Sequence, residues 1–190
     1  MDGRARYNSG MTASGLKTAE DLLQFREPGK TAELVRGVLI VREPPGTEHG
    51  GVAATLLVRL ANHVERHGLG RVFAQDTGFQ IGSDPDTVRA PDVAFVSRER
   101  LAQIAPRGYA PLAPDLVVEI LSPGDRPGEV LQKVADWLNG GARLVWVVDY
   151  LRRQARVYRA DGSVSHLGPE DTLDGEDVVP GFSLRLETLF

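Results

Sequence analysis

Leu116-Val117-Val118-Glu119-Ile120-Leu121 opens the stretch that decides the fold. It runs on through Ser122-Pro123-Gly124-Asp125 and the segment 127–139 to Leu144-Val145-Trp146-Val147-Val148-Asp149. Its first and last pieces are short, near-continuous apolar runs, the pattern of strands buried on both faces. Between them Ser122–Asp125 reads as a turn. Pro127 suits the first turn of a helix, where its missing N–H is not needed. Gly140-Gly141 stops that helix near Asn139. Strands joined through a helix imply at least one parallel pairing, so a mixed sheet is expected.

Working outward, Thr18-Ala19-Glu20-Asp21 predicts a capping box opening a helix to about Arg26. Residues 33–41 predict two strands turning near Arg36-Gly37. After Pro44-Pro45-Gly46, a long helix is expected from Glu48 to Arg66. Val52, Leu56, Leu60 and Val64, with Ala53, Leu57 and Ala61, give it one wide apolar face. Gly68 and Gly70 end it. Strands follow at Arg71–Gln75, Gly78–Ile81 and Val88–Ser97, with Ser83–Asp86 as a turn and a short helix over Arg98–Ile104. Gln154–Arg159 and Ser163–Leu167 are the last clear strands. From Asp174 to Phe190 the chain shows loop markers at Gly175, Pro180 and Gly181, then an apolar end. Residues 1–17 read as a polar, aperiodic tail and 18–190 as one domain.

The 190 residues suffice for one domain with a real core, and 42% hydrophobic and 25% charged residues are ordinary for a globular chain. Cysteine is absent, which excludes disulfides, thiolate metal sites and thiol nucleophiles. No apolar run has the length of a membrane span, and no basic-then-apolar leader opens the chain. The expectation is a soluble, cytoplasmic protein without a membrane partner. A net charge of −4 argues against coating nucleic acid through bulk positive charge. It leaves room for an enzyme with local basic residues beside an acidic metal site.

Three residues carry chemistry. Glu119 is a carboxylate in a strand apolar on both faces, so it needs a cation, a metal or a proton. A salt bridge to an arginine is the plain alternative. Asp92 shares a face with Ala90 and Ala94 if residues 88–97 form one strand, and those small neighbours leave space for a ligand. A turn or cap role for Asp92 stays open. Lys133 falls beside an apolar arc of Val130, Leu131, Val134, Ala135, Trp137 and Leu138, from which its stem can lie on apolar surface while the ammonium reaches over the sheet edge. A solvated lysine would read the same way. Two carboxylates can hold Mg²⁺ or Mn²⁺. Such a metal activates water and stabilises phosphate charge, and a nearby lysine adds to both effects. Motifs for a serine hydrolase, a P-loop, a dinucleotide fold or an H-x-x-E-H zinc site are absent.

Ala90-Pro91-Asp92-Val93, then Pro114 to Pro123 around Glu119, then Lys133 in a helix, then Leu144–Asp149, resembles the Uma-two family of restriction endonucleases in the PD-(D/E)XK nuclease superfamily. The resemblance runs from about Thr18 to Phe190 and takes in Glu33-Leu34-Val35, Glu48-His49-Gly50 and Pro180 to Leu184. It implies a restriction-endonuclease-like α/β core, a central mixed β-sheet flanked by helices. It also implies Asp92 and Glu119 as metal ligands and Lys133 as the catalytic lysine. Glu33 matches an acidic position of the family, which would make it an accessory ligand or a holder of Lys133; an ordinary strand residue is the alternative. His49 either faces the site or packs and caps the long helix. Two departures stand out. The superfamily lysine normally lies two residues after the acid, where this chain has Leu121. Arg36 stands where an acidic residue is expected, and no catalytic meaning attaches to it.

The expected activity is Mg²⁺- or Mn²⁺-dependent cleavage of DNA phosphodiesters. The alternatives are a non-catalytic module binding nucleic acid or protein, and a hydrolase of small phosphate esters. Arg59, Arg66, Arg89, Arg98, Arg100, Arg126, Arg152, Arg153 and Arg156 are positive spots, read mostly as solvated faces. His63, His67 and His166 lack ligand spacing and are read as structural. A homodimer would suit two cuts in a duplex, with Trp137, Trp146 or Leu186–Phe190 as contact surface.

Overall fold

Side chains of β7 (Leu116–Ile120) alternate, and the two cores of the domain follow from that alternation. In a computed structural model of the chain, Gly15 and residues 17–190 are described. The expected N-terminal tail therefore lies almost wholly outside the described residues. Leu116, Val118 and Ile120 join one hydrophobic cluster, whereas Val117 joins another on the opposite face. β8 (Leu144–Asp149) does the same, with Leu144, Trp146 and Val148 on one side and Val145 and Val147 on the other. β7 and β8 pair in parallel, Glu119 opposite Val147, with α3 (Pro127–Asn139) as the crossover. The parallel pairing expected from residues 116–149 is thus present.

The other strands are β1 (Thr31–Val35), β2 (Val38–Arg42), β3 (Gly70–Ala74), β4 (Phe79–Gly82), β5 (Thr87–Arg89), β6 (Val93–Ser97), β9 (Gln154–Arg159), β10 (Val164–Leu167), β11 (Thr172–Asp174) and β12 (Ser183–Arg185). A six-stranded mixed sheet runs β10-β9-β8-β7-β6-β3. Beside it stands a four-stranded antiparallel sheet, β2-β1-β5-β4. β11 and β12 form a separate antiparallel pair.

α2 (Thr47–His67) covers one face of the large sheet with Val52, Ala53, Leu56, Leu60 and Val64. Each leucine so buried contributes about 1.5–3 kcal/mol of hydrophobic stabilisation. Gly68 closes the helix at φ 62°, a left-handed cap that glycine adopts without a Cβ clash. α3 covers the other face with Val134 and Trp137, which meet Ala94, Val96, Val117 and Phe79. α1 (Ala19–Gln24) opens with the expected capping box of Thr18 and Asp21. Its Leu22 packs with Leu34 and Val88 under the small sheet. Arg36 and Gly37 both have positive φ, 48° and 74°, as a two-residue primed hairpin turn requires.

Several expectations need correction. Residues 88–97 are not one strand: β5 belongs to the small sheet and β6 to the large one. Pro91 sits at the break and has no N–H for either ladder. Ala90 N–H is taken by the Glu33 side chain, and Asp92 N–H begins the large-sheet ladder at Val118 O. The region 98–104 forms a 3₁₀ helix, Arg98–Gln103. The C-terminal segment contains β11 and β12 and a closing 3₁₀ turn, Leu186–Leu189. Leu173, Val179, Phe182 and Leu186 anchor it in the α2-side core. Trp137, Trp146, Leu186 and Leu189 are buried and offer no contact surface to a second copy, and of the expected contact residues only Phe190 is an exposed hydrophobic. Leu131, assigned to the apolar arc of α3, is exposed, and Asp136 is buried.

Candidate active site

Glu119 follows the alternation of β7 onto the face covered by α3 and is buried there. Two α3 side chains one turn apart meet it. Lys133 Nζ donates to Glu119 Oε2 at 2.9 Å. Trp137 Nε1 donates to Oε1 at 2.8 Å. Positions i and i+4 share a helix face, which is why both reach one carboxylate. The Lys133 side chain keeps 21% exposure, in keeping with a stem laid on apolar surface and a head at its edge. Burial pushes the Glu119 carboxyl above its ordinary range; Lys133 opposes this, while Asp92 and Glu33 add to it. For Lys133 burial works the other way, but Glu119 and Glu33 outweigh it and hold the ammonium above the usual lysine range.

Asp92 stands at the entry to β6, next to the same end of β7. Its Oδ2 accepts the Ile120 N–H at 2.7 Å. His49 Nε2 lies 3.4 Å from that oxygen and 2.9 Å from Ile120 O. A carbonyl only accepts, so Nε2 carries a proton. His49 Nδ1 is buried and has no partner among the described residues. Burial disfavours charge on His49, yet the Asp92 carboxylate prevails and raises its proton affinity. His49 comes from the first turn of α2, so the two helices reach the end of β7 from opposite faces.

Glu33, on β1, closes the group. Its Oε2 accepts Arg89 Nη1 at 2.9 Å and its Oε1 accepts Ala90 N–H at 3.0 Å. Its Oε1 lies 4.0 Å from Lys133 Nζ. Burial opposes ionisation, but Lys133 and Arg89 dominate and hold the Glu33 carboxyl below its ordinary range. Arg89 then spans to α3, donating to Asp136 Oδ2 from Nη2 at 2.5 Å and Nε at 3.2 Å. Gln132 Nε2 donates to Asp136 Oδ1 at 2.8 Å, and Arg36 Nη2 lies 3.6 Å from that oxygen.

The five residues singled out in the sequence, Asp92, Glu119, Lys133, Glu33 and His49, therefore form one connected group. Glu119 does meet a cation, the helix-borne lysine and not an arginine. Glu33 is more than an ordinary strand residue, because both its oxygens are committed at the site. Arg89, read as a solvated positive spot, is 3% exposed and lies inside the group. Asp136 and the indole of Trp137 were also missed. Nothing in the sequence marked Asp136, which at 3.6 residues per turn falls on the far side of α3 from the apolar arc read there. His63 bonds Pro180 O and His67 bonds His63 O, both as structural residues.

Asp92 and Glu119 offer hard oxygen donors at one end of β7. Asp92 Oδ1 accepts no hydrogen bond among the described residues, while both Glu119 oxygens already accept one. Among the described residues no group of three or more His, Asp or Glu side chains is arranged to hold a metal ion. This donor set fits a cation such as Mg²⁺, which keeps several waters and takes one or two carboxylates beside substrate oxygens. It does not fit a metal that needs a full protein cage.

A central mixed sheet flanked by helices, with acids and a lysine gathered at the end of its parallel pair, defines a restriction-endonuclease-like domain. Residues 19–187 match the family model Uma2, described as "Putative restriction endonuclease", and the chain belongs to that family. The fold is also that of a crystal structure from Anabaena variabilis ATCC 29413, described as a "putative nuclease belonging to DUF820". The two align with a TM-score of 0.78 at 21% identity, covering 91% of this chain and 97% of that one. No curated protein matches the chain. No helix among the described residues is long and apolar enough to cross a membrane.

Proposed function

We propose that the protein is a Mg²⁺- or Mn²⁺-dependent endonuclease that hydrolyses DNA phosphodiesters at the Asp92–Glu119–Lys133 site. One observation carries the reading. Lys133 reaches Glu119 at 2.9 Å from a separate helix, placing a cation beside the acid although position 121 is a leucine. Asp92 and Glu119 would hold the metal, which when bound lowers the pKa of a coordinated water and offsets charge on the phosphate. Lys133 remains an ammonium and donates to the attacking water or to a phosphate oxygen, where charge develops in the transition state. Glu33 keeps that ammonium charged and close. Through Ile120, His49 and Asp92 fix the chain end that carries Glu119.

The test is supercoiled plasmid incubated with Mg²⁺ or Mn²⁺, beside a chelator control and Lys133→Ala. Nicking that needs both metal and Lys133 supports the reading. Cleavage that survives Lys133→Ala, or persists in chelator, overturns it. The reading places the enzyme with DNA in the cytoplasm. A second copy of the chain is the natural partner for cutting both strands, and light scattering showing a monomer at working concentration removes that part.

A further inference from the structure

Arg89 is the most deeply buried cation of the network, and the nuclease reading assigns it no role. It joins three elements at one point. It is on β5, it bonds Glu33 of β1, and it bonds Asp136 of α3 through two nitrogens. Asp136 lies three residues after Lys133 on that helix, so a fork that fixes Asp136 also fixes the rotation of α3 that presents Lys133. The other end of the fork acts on the ammonium itself. Glu33 is drawn toward Arg89 at 2.9 Å and toward Ala90 N–H at 3.0 Å, and it stays 4.0 Å from Lys133. Lys133 accordingly gives its short bond, 2.9 Å, to Glu119.

We propose that Arg89, acting with Asp136 as a two-point brace, is a positioning residue that holds Lys133 on Glu119 and keeps Glu33 from capturing it. The charge count gives the brace its reason. Glu119, Glu33 and Asp92 are three acids acting on one lysine, and without Arg89 the Glu33 oxygen that it now holds is released to compete with Glu119 for the ammonium. A buried ionic network of this kind is not needed for stability, since well-packed apolar residues often serve as well or better. Arg89 is suited to the task because its planar fork holds its N–H donors in a fixed geometry, two on Asp136 and one on Glu33, whereas a lysine ammonium is a point charge on a flexible stem. The catalytic consequence rests on the nuclease reading, whereas the positioning itself does not.

The test separates the two. The chain has three lysines, Lys17, Lys30 and Lys133, so lysine-selective nitrogen labelling gives a spectrum simple enough to assign with Lys133→Arg. An ammonium locked in buried ion pairs exchanges slowly with water and gives a protected NMR signal. The wild type is expected to show that signal for Lys133. Folded Asp136→Asn and Arg89→Gln are expected to lose it, with kcat for plasmid nicking falling about tenfold or more and KM nearly unchanged, as for a misplaced reacting group. Asp136→Asn keeps the side-chain shape and decides the matter if Arg89→Gln does not fold. A protected Lys133 signal that persists in folded Asp136→Asn, or is absent from the wild type, overturns the brace. A lost signal with unchanged kcat overturns its catalytic consequence. If the wild type nicks nothing with either metal, the nuclease reading fails while the NMR signal still decides the positioning.

Discussion

Lys133 and Glu119 are fourteen positions apart in the chain and 2.9 Å apart in space. The acid is the penultimate residue of β7 and the lysine lies on the helix that crosses over it. Their meeting follows from the parallel crossover, because α3 must return over the face of β7 on which Glu119 points. Trp137, one helical turn on, seals the other oxygen of the same carboxylate.

Lys133→Met should abolish metal-dependent nicking. It should also lower stability by about 3–5 kcal/mol, the usual cost of leaving one member of a buried pair without its partner. Urea denaturation measures this. A variant as stable as the wild type would mean that Glu119 holds a proton in place of the lysine.

Trp137→Phe keeps an aromatic ring in the core and removes the indole N–H. The acceptor left buried and unpaired on Glu119 should cost about 1–3 kcal/mol, in addition to the smaller volume. Burial pushes the Glu119 carboxyl above its ordinary 4.5, so it takes up a proton at a higher pH than an ordinary glutamate. The deficit should therefore be larger at pH 8 than at pH 5 in paired denaturation curves. An equal deficit at both would assign the whole effect to packing.

Glu33 contributes to the expected acid limb. Its folded carboxyl lies below the ordinary value of 4.5, so the unfolded chain binds the proton more tightly. The stabilisation is present above that value and is lost as pH falls through the lower, folded one. Glu33→Gln should be less stable than the wild type at neutral pH, and the gap should narrow as pH falls below 4.5 and close once it has passed the lower, folded value. A gap that stays open in acid would show that the carboxylate charge is not what stabilises.

His49 has the opposite sign. Its proton affinity is raised above the ordinary 6.5 by Asp92, so the folded protein holds the proton more tightly. That stabilisation is complete below the unfolded value and fades as pH rises through the folded one. The stability difference between wild type and His49→Gln should shrink with rising pH across that window. A difference that grows toward alkaline pH would contradict the Asp92–His49 ion pair.

Much of this arrangement was legible in the chain. Residues 116–149 alone specify strand, helix and strand, because continuous apolar runs flanking an amphipathic helix leave one topology open. Turn chemistry located the hairpin at Arg36-Gly37, and the period of Val52, Leu56, Leu60 and Val64 located α2. Glu119 was legible because a carboxylate inside an apolar strand cannot remain without a partner. The break at Pro91 was written in the sequence too, but the alternation on either side of it masked the change of sheet.

What the chain by itself determined, then, was which segments are strands and helices, which faces they bury and which carboxylate demanded a cation. Periodicity and burial cost are local properties, so a sequence displays them. Only the tertiary structure decided who answers that demand. Lys133 of α3 answers it, and Arg89 of β5, Asp136 of α3 and Glu33 of β1, from elements far apart in sequence, complete the network around that pair. Packing two sheets against one helix brought them within hydrogen-bond distance, where the low dielectric of the interior makes every charge choose a partner.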